Sequence, residues 1–463
     1  MRPIARYGFL GNVRKLLSQA AFFIDAKESG MGQTATNLGT AGSVLDAQYG
    51  STTGADTNDP LLLEHDGTNY LYLPGSSGNT ASTPDSAALD ITGDLEIVLR
   101  TAQNVWTPSV NHYPIGKRAT TGNQRSWLVE NITTGAVRLY WSADGTTENS
   151  AVSTASVGFA DGVVGWIKIT LDVDNGASGR DIKFYTAPDQ STEPTSWTQL
   201  GTTVTQAGTT SIFSGTADLR LGGWQDGTSL IGAKYLRAIV RNGIGGTVVF
   251  DADFTTGITS GGQTTFTESS SNAATVTINR STSGRKSVAV VRDVWLFGTD
   301  DLFEVADSDL LDFANADDFT VLAVARAWGT TADDTLVAKK AGTTSASTGW
   351  ALEMAASSVT GGELSDGTTQ HAPTAGTRTA GAVAVHSLVK SGSTVTAYLN
   401  GTAGTPVTIT ATGTFANSEV MRIGRLSGAG TNYADVELLG AAVFRRALTA
   451  SEITSIANYY SAS

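Results

Sequence analysis

The chain of 463 residues contains no cysteine. Disulfides, thiolate zinc sites and cysteine nucleophiles are therefore excluded. Charge is also scarce. Asp, Glu, Lys and Arg make up 16% of the residues, against about 25% in an ordinary soluble domain. The balance is acidic, with 43 Asp and Glu against 30 Lys and Arg and a formal net charge of −13. Phosphate backbones are bound by clustered Lys and Arg, so nucleic acid is not an expected partner. Histidine is limited to His65, His112, His371 and His386, none of them at an HExxH or other ligand spacing. No apolar run reaches the ~18 residues of a spanning helix, so no membrane segment is read.

What fills the chain instead is Gly, at 52 residues, together with Thr, Ser and Ala. That mixture suits short strands and tight turns better than long Glu/Lys-rich helices. At about 150 residues per domain, the length predicts two to four domains.

Residues 1–27 stand apart. Arg2, Arg6, Arg14, Lys15 and Lys27 face Asp25 as the lone acid. Leu10, Val13, Leu17 and Ile24 recur at roughly helical spacing, which predicts a short amphipathic helix over about 11–22. A secretory signal is not read, because Arg14 and Lys15 break the apolar run and no small-x-small cleavage site follows. Such a segment packs on its own body, docks on a larger assembly or lies on a membrane surface. The docking reading assigns the contact to Arg2, Arg6, Arg14 and Lys15.

An internal repeat organises the remainder. Asp85-Ser86-Ala87-Ala88-Leu89-Asp90-Ile91 matches Asp307-Ser308-Asp309-Leu310-Leu311-Asp312-Phe313, 222 residues later. The same offset carries Lys117 onto Lys339 and Asp144-Gly145-Thr146-Thr147 onto Asp366-Gly367-Thr368-Thr369. Leu219-Arg220-Leu221-Gly222 then matches Met421-Arg422-Ile423-Gly424 at an offset of 202. Within each copy, apolar and polar residues alternate. Ile167, Ile169, Leu171 and Val173 interleave with Trp166, Lys168, Thr170 and Asp172, and Val395, Ala397 and Leu399 with Thr394, Thr396 and Tyr398. Period two marks half-buried strands. Asp66-Gly67, Asp144-Gly145, Asp226-Gly227, Asp366-Gly367 and Asn400-Gly401 supply the tight turns between them. Near the end, Thr449-Ala450-Ser451-Glu452 is a capping box that predicts a helix over about 450–459. The Thr/Ser/Gly/Asn-rich stretch 255–290 reads as the last strands of the first copy plus a linker, with the break near 282–292.

The second copy resembles a LamG-like domain, a concanavalin A-like jelly roll. The likeness runs through Phe303 to Ser308, Leu311-Asp312-Phe313, Val337-Ala338-Lys339-Lys340, Gly349-Trp350-Ala351-Leu352, Val395 to Gly401 and Arg422-Ile423-Gly424. It closes on Val443-Phe444-Arg445-Arg446-Ala447-Leu448-Thr449. The first copy is similar in outline. Its segments Pro84 to Asp94, Gly122 to Trp127, Leu171 to Gly176 and Gly243 to Asp251 resemble the LamG-like minor tail proteins of phages infecting actinobacteria. The resemblance implies an all-β chain of two tandem jelly-roll sandwiches behind a short N-terminal helical segment. The expected boundaries are 1–40 for the basic docking segment, 41–285 for the first jelly roll and 286–463 for the second.

It further implies a virion structural protein, made in the host cytoplasm without a signal peptide. The expected place is a minor tail, tail-tip or fibre component that adheres to host cell-wall glycans. Other virion proteins would hold the N-terminal segment. By analogy with fibrous virion parts, the chain forms a homo-oligomer, a trimer. A capsid decoration or head-fibre protein with a purely structural role is the alternative. A glycan-active enzyme fits less well, since glucanases of this fold carry Glu-x-Asp-x-x-Glu on one strand. No such run occurs, and Glu304-Val305-Ala306-Asp307 is the nearest acidic pair. No catalytic residue or cofactor is therefore assigned. Many relatives hold calcium with an Asp-Glu pair before the final strand, where this chain has Tyr235-Leu236 and Leu439-Gly440. The turn at Asp172, Asp174 and Asn175 could take an ion but reads first as a hydrated hairpin tip, so no motif supports a calcium site.

Glycan binding needs an aromatic face for the sugar's C–H groups and polar groups for its hydroxyls. Trp127 and Trp350 hold equivalent strand positions and read as core. Trp166 falls on the polar face of its strand and is harder to place. Trp224 sits in a loop with Gln225 and Asp226 beside it, and the equivalent loop of the second copy holds Tyr433. Trp224, Gln225, Asp226 and Tyr433 are the candidate carbohydrate contacts. Packing on a neighbouring subunit would explain an exposed Trp equally well.

Overall fold

The computed structural model describes residues 4–30, 32–224, 230–329, 334–355, 359–426 and 432–462. The chain is all-β and folds into two compact units. One, here the inserted unit, is His65–Thr282 with Lys286–Val291. The other, the terminal unit, is Met1–Glu64 with Ser283–Arg285 and Arg292–Ser463. Each is a sandwich of two antiparallel sheets whose inward residues make one core.

In the inserted unit, an eight-stranded sheet runs in the order Glu148–Ser156, Ala136–Ser142, Gln124–Asn131, His112–Ala119, Leu219–Leu221, Thr80–Thr83, Thr275–Asn279 and Thr265–Thr267. The facing sheet is centred on Leu95–Gln103, between Gly165–Asp172 and Gly232–Asn242. Trp127, Val129, Leu139, Trp141 and Leu219 from the first meet Ile97, Ile169 and Phe184 from the second. The terminal unit repeats the plan. Phe319–Ala327 lies between Val383–Ser391 and Val436–Phe444. Asp334–Lys340, Gly349–Ala355 and Val359–Ser365 build the opposite layer.

The repeated motif has a physical purpose in both units. The Lys117 ammonium is buried 2.8 Å from Asp85 and 3.6 Å from Asp90 and donates to the Gly215 carbonyl. Lys339 is buried 2.8 Å from Asp307 and 2.7 Å from Asp312 and donates to the Asn417 carbonyl at 2.5 Å. Asp307 is thus occupied, and Glu304 is held by Arg422 at 2.8 Å, which places the one acidic pair noted in the sequence in ion pairs. Asp144 and Asp366 serve as turn acceptors. Each takes the two following threonine amides on Oδ1, and Asp366 also takes Thr412 and Gly413 on Oδ2. Those backbone hydrogen bonds hold both carboxyls well below the usual carboxylate range.

The N-terminal region departs from expectation. Phe22–Asp25 is a strand antiparallel to Val436–Phe444, with Phe22 opposite Val443 and Ile24 opposite Ala441. Ala47–Tyr49 pairs with Phe303–Val305, and Leu61–Leu63 with Val294–Leu296. Residues 41–64, expected in the first jelly roll, therefore belong to the terminal unit. Residues 1–40 are part of that unit as well as carrying the basic helix. A strand whose partner lies some four hundred residues away leaves no local periodicity to read. The helix spans Ile4–Leu17 rather than 11–22. It stops because Ala21 donates its amide to Val443 and enters the sheet.

The C-terminal helix, Ala450–Ala462, starts at the capping box. The Thr449 hydroxyl accepts the Glu452 amide at 3.2 Å and the Glu452 carboxylate accepts the Thr449 amide at 2.8 Å. Ile453 and Ile456 are fully buried beneath it.

Two outcomes test this architecture. Lys339→Met strands two carboxylates beside an apolar tip and is expected to cost about 3–5 kcal/mol in chemical denaturation. The triple variant with Asp307→Asn and Asp312→Asn is expected to regain most of it. A chain starting at residue 40 removes Phe22 and Ile24 from the core, at about 2–5 kcal/mol each. Calorimetry is expected to show the terminal unit's transition lowered or lost, while that of the inserted unit stays.

Candidate functional site

The outward face of the eight-stranded sheet carries the candidate site. Alternation turns Trp127, Val129, Leu139 and Trp141 inward, so Leu128, Glu130, Arg138 and Tyr140 point outward. The register sets Arg138 opposite Glu130, Tyr140 opposite Leu128, and Gly116 between Leu128 and Arg220. A Cβ at Gly116 would stand 2.4 Å from Leu128 Cδ1 and 3.2 Å from the Leu128 Cα and the Trp127 carbonyl, so a larger residue fits there only if Leu128 moves aside. Past Leu221 the chain turns at Gly222 and Gly223, with φ of 81° and 151°. A Cβ at Gly222 would meet Leu73 Cδ1 at 2.2 Å, so only glycine allows this approach.

That turn delivers Trp224 onto the face. Its indole stacks on Tyr113, with ring centroids 5.2 Å apart and planes 26° from parallel. The Arg118 guanidinium carbon lies 4.0 Å from the indole centroid. Arg118 is itself held flat by a two-bond fork to Glu148, at 2.6 and 2.9 Å. Beside it, Arg138 donates to Glu130 at 2.8 Å and to the Tyr140 hydroxyl at 2.6 Å. Burial and then the neighbouring Glu130 push the Tyr113 phenol's pKa up, so it stays a neutral donor. Next to Tyr113, buried His112 hydrogen-bonds Gln103 at 3.0 Å and Asn131 at 3.2 Å. Burial pushes its pKa down to about 3, so the imidazole is neutral.

Of the expected carbohydrate contacts, Trp224 is half-buried and engaged, whereas Gln225 and Asp226 lie outside the described residues. In the terminal unit, Tyr433 is bridged to Arg425, whose guanidinium carbon is 5.0 Å from the phenol ring. Each equivalent loop thus presents an aromatic ring with an arginine against it. Among the expected docking residues, Arg2 and the Arg6 side chain lie outside the described part. Arg14 pairs with Glu28 and donates to the Tyr459 hydroxyl at 3.3 Å, both within its own unit. Lys15 is exposed.

Sequence reasoning passed over a second aromatic group, on the outward face of the other sheet of the inserted unit. Lys168 Nζ lies 4.5 Å from the Trp197 ring and 4.8 Å from Tyr185. It also explains Trp166. That indole is fully buried, donates to the Gln190 carbonyl at 3.0 Å and meets Trp197 edge-on. The segment carrying Asp189 to Trp197 covers a strand face that alternation alone marks as wet. The Lys168 and Tyr185 positions were legible as outward neighbours across the Gly165–Asp172 and Gly179–Pro188 pair.

The Asp172–Asn175 tip uses its own oxygens. Asp172 accepts the Asp174 amide, Asp174 accepts Gly176, and Asn175 accepts Ala177 and Gly179. Among the described residues, no group of three or more His, Asp or Glu is placed to hold a metal ion.

No protein-family model matches the chain, and no curated protein matches it. Solved structures to which the chain shows similarity include mouse laminin α1 chain domains LG4-5, at 13% identity and a TM-score of 0.31, covering 83% of this chain and 91% of that one. The binding domain of Paraclostridial mosquitocidal protein 1 has 14% identity and a TM-score of 0.31, over 37% of this chain and 44% of its own. The Ruminococcus gnavus IT-sialidase CBM40 bound to α2,3 sialyllactose has 14% identity and a TM-score of 0.27, over 31% and 83%. This chain spans under half the length of the mosquitocidal binding domain.

Because the native His112 resists protonation until about pH 3, the unfolded chain takes up the proton first, near its ordinary ~6.5. His112 therefore leaves stability unchanged above that value. Below about pH 6 it removes roughly 1.4 kcal/mol per pH unit until its native pKa is reached. Melting curves between pH 6 and 4.5 are expected to fall less steeply for His112→Gln than for the parent.

Proposed function

We propose that this chain is a phage virion structural protein, a minor tail, tail-tip or fibre component, that uses its lectin-like sandwiches to adhere to host cell-wall glycans. The host would be an actinobacterium. The observation that carries the glycan reading is the Trp224 platform. An indole braced by Tyr113 and by a forked Arg118 is rigid before any ligand arrives. Little side-chain entropy remains to be lost on binding. Its apolar ring suits a sugar's C–H face, while half-buried Tyr113, Tyr140 and Arg138 supply hydroxyl partners around it. The Arg425–Tyr433 pair offers a second, smaller platform in the terminal unit.

The phage assignment rests on the sequence resemblance and on the composition: no cysteine, scarce charge, and abundant Gly, Thr, Ser and Ala. The exposed Lys15 and the basic first residues suit attachment to other virion proteins. A homo-oligomer, by analogy a trimer, is part of the same proposal. The chain works as a binder in this reading and not as an enzyme, with no cofactor.

The test is a pull-down of the full chain on purified actinobacterial cell walls. The parent is expected to bind, and Trp224→Ala to lose at least about tenfold in retention, the share of one braced aromatic anchor. Calorimetry of the variant checks that the inserted unit still melts as a unit. No wall binding by the parent would favour a structural component of capsid or tail in which the sandwiches act as spacers.

A further inference from the structure

The arginines around Trp224 share a property that neutral sugar binding does not call for. Arg118, Arg125, Arg138 and Arg220 all lie on or at the rim of the outward face of the eight-stranded sheet. Their side chains are 9, 20, 26 and 25% exposed. Each has a carboxylate within ion-pair reach: Arg118 and Arg125 share Glu148, Arg138 has Glu130, and Arg220 has Asp218. Among the described residues, four guanidinium groups therefore face three carboxylates, in a chain whose net charge is −13. Each of the four also keeps one buried N–H with no hydrogen-bond acceptor: Arg118 Nη1, and Nε of Arg125, Arg138 and Arg220. Arg118 is more than nine-tenths buried, so bulk water does not readily satisfy its orphan. A buried charged donor left without an acceptor costs at least ~1–3 kcal/mol, and four on one face is a concentrated debt of acceptors.

We propose that the Trp224 platform takes a saccharide bearing an anionic group, a carboxylate or a phosphate. This rests on the glycan-binding reading and narrows it. A neutral sugar hydroxyl is donor and acceptor at once. Carboxylate and phosphate oxygens are acceptors only, and the guanidinium fork matches their geometry. The sugar ring lies on Trp224 beside Tyr113. Its charged group pairs with the guanidinium groups of Arg220 and Arg138, each about a quarter exposed at the face, while buried Arg118 adds positive charge beneath the ring.

The experiment uses the full chain and three probes, compared by affinity electrophoresis and titration calorimetry. Oligogalacturonate carries carboxylates, a glycerol-phosphate polymer carries phosphates, and a cello-oligosaccharide of matching length carries no charge. One charged probe is expected to bind at least about tenfold tighter than the neutral one, as charge-assisted pairing requires. Raising salt from about 50 to about 500 mM is expected to weaken that binding severalfold. Arg220→Gln, at a partly exposed position, is expected to reduce charged-probe binding at least about fivefold while leaving the melting curve in place. Arg138→Gln serves as a second variant if Arg220→Gln disturbs folding. Which charged probe wins separates carboxylate from phosphate. Equal binding of the neutral probe, or wall binding with no response to salt or to either arginine variant, overturns this inference and leaves glycan adhesion standing. Absence of wall binding by the parent chain overturns both.

Discussion

A lysine ammonium held between two aspartates stands at the same place in both sandwiches. In the inserted unit, Asp85 and Asp90 bracket the turn Ala87–Leu89, which leads into the central strand Leu95–Gln103. Lys117 reaches that turn from the opposite sheet. In the terminal unit, Asp307 and Asp312 bracket Leu311, Phe313 stacks on Phe319 at 4.1 Å, and Lys339 comes from the facing layer. Each ammonium therefore ties the two layers together at the point where the chain changes sheets. Burying a cation is expensive, and attraction offsets the cost only when every proton finds a partner. At Lys339 the Asp312 carboxylate and the Asn417 carbonyl accept protons and Asp307 stands 2.8 Å away; at Lys117 the Gly215 carbonyl accepts, and Asp85 and Asp90 balance the charge at 2.8 and 3.6 Å. The hydrophobic cores on either side depend on that turn being fixed before the central strand begins.

This arrangement was visible in the sequence because it repeats. The Asp-x-x-x-x-Asp spacing and the later lysine recur at one offset, so a chemical requirement survived where the intervening residues changed. The strand alternation of Trp166 to Asp172, the turn glycines and the Thr449–Glu452 capping box were legible for a similar reason: each is local. The N-terminal 64 residues were not. Phe22-Phe23-Ile24 gives no signal of which sheet it joins, because its partner, Ala441 to Val443, is set by tertiary structure alone. Trp166 misled in the same way. It obeys the alternation, yet the Asp189–Trp197 segment covers the face it points to.

The candidate site was half legible. Trp224 stood out as a loop aromatic flanked by glycines. Tyr113 and Arg118, which brace it, lie more than a hundred residues earlier on a strand whose outward positions look like ordinary solvent-facing ones. Nothing in the sequence distinguishes an arginine stacked on an indole from one in water. What could have drawn attention is the spacing of Tyr113 and Arg118 around Gly116, an interior strand glycine that marks a close approach on that face. The terminal unit keeps the logic with different residues, Leu426 packing on Ala338 and Ala351 where the inserted unit has Leu128 over Gly116.

The pairing of Phe22–Asp25 with Val436–Phe444 also sets the order of events during synthesis. The first strand of the terminal unit leaves the ribosome some four hundred residues ahead of its partner, an interval of about 20–80 s at bacterial and eukaryotic elongation rates. For all of that time Phe22 and Ile24 have no sheet to join. The inserted unit, whose strands all lie between residues 65 and 291, can close while the waiting strand is still unpaired. The nascent chain thus carries a finished domain and an exposed apolar segment together. Its most vulnerable interval on the ribosome ends only when Val436–Phe444 emerges.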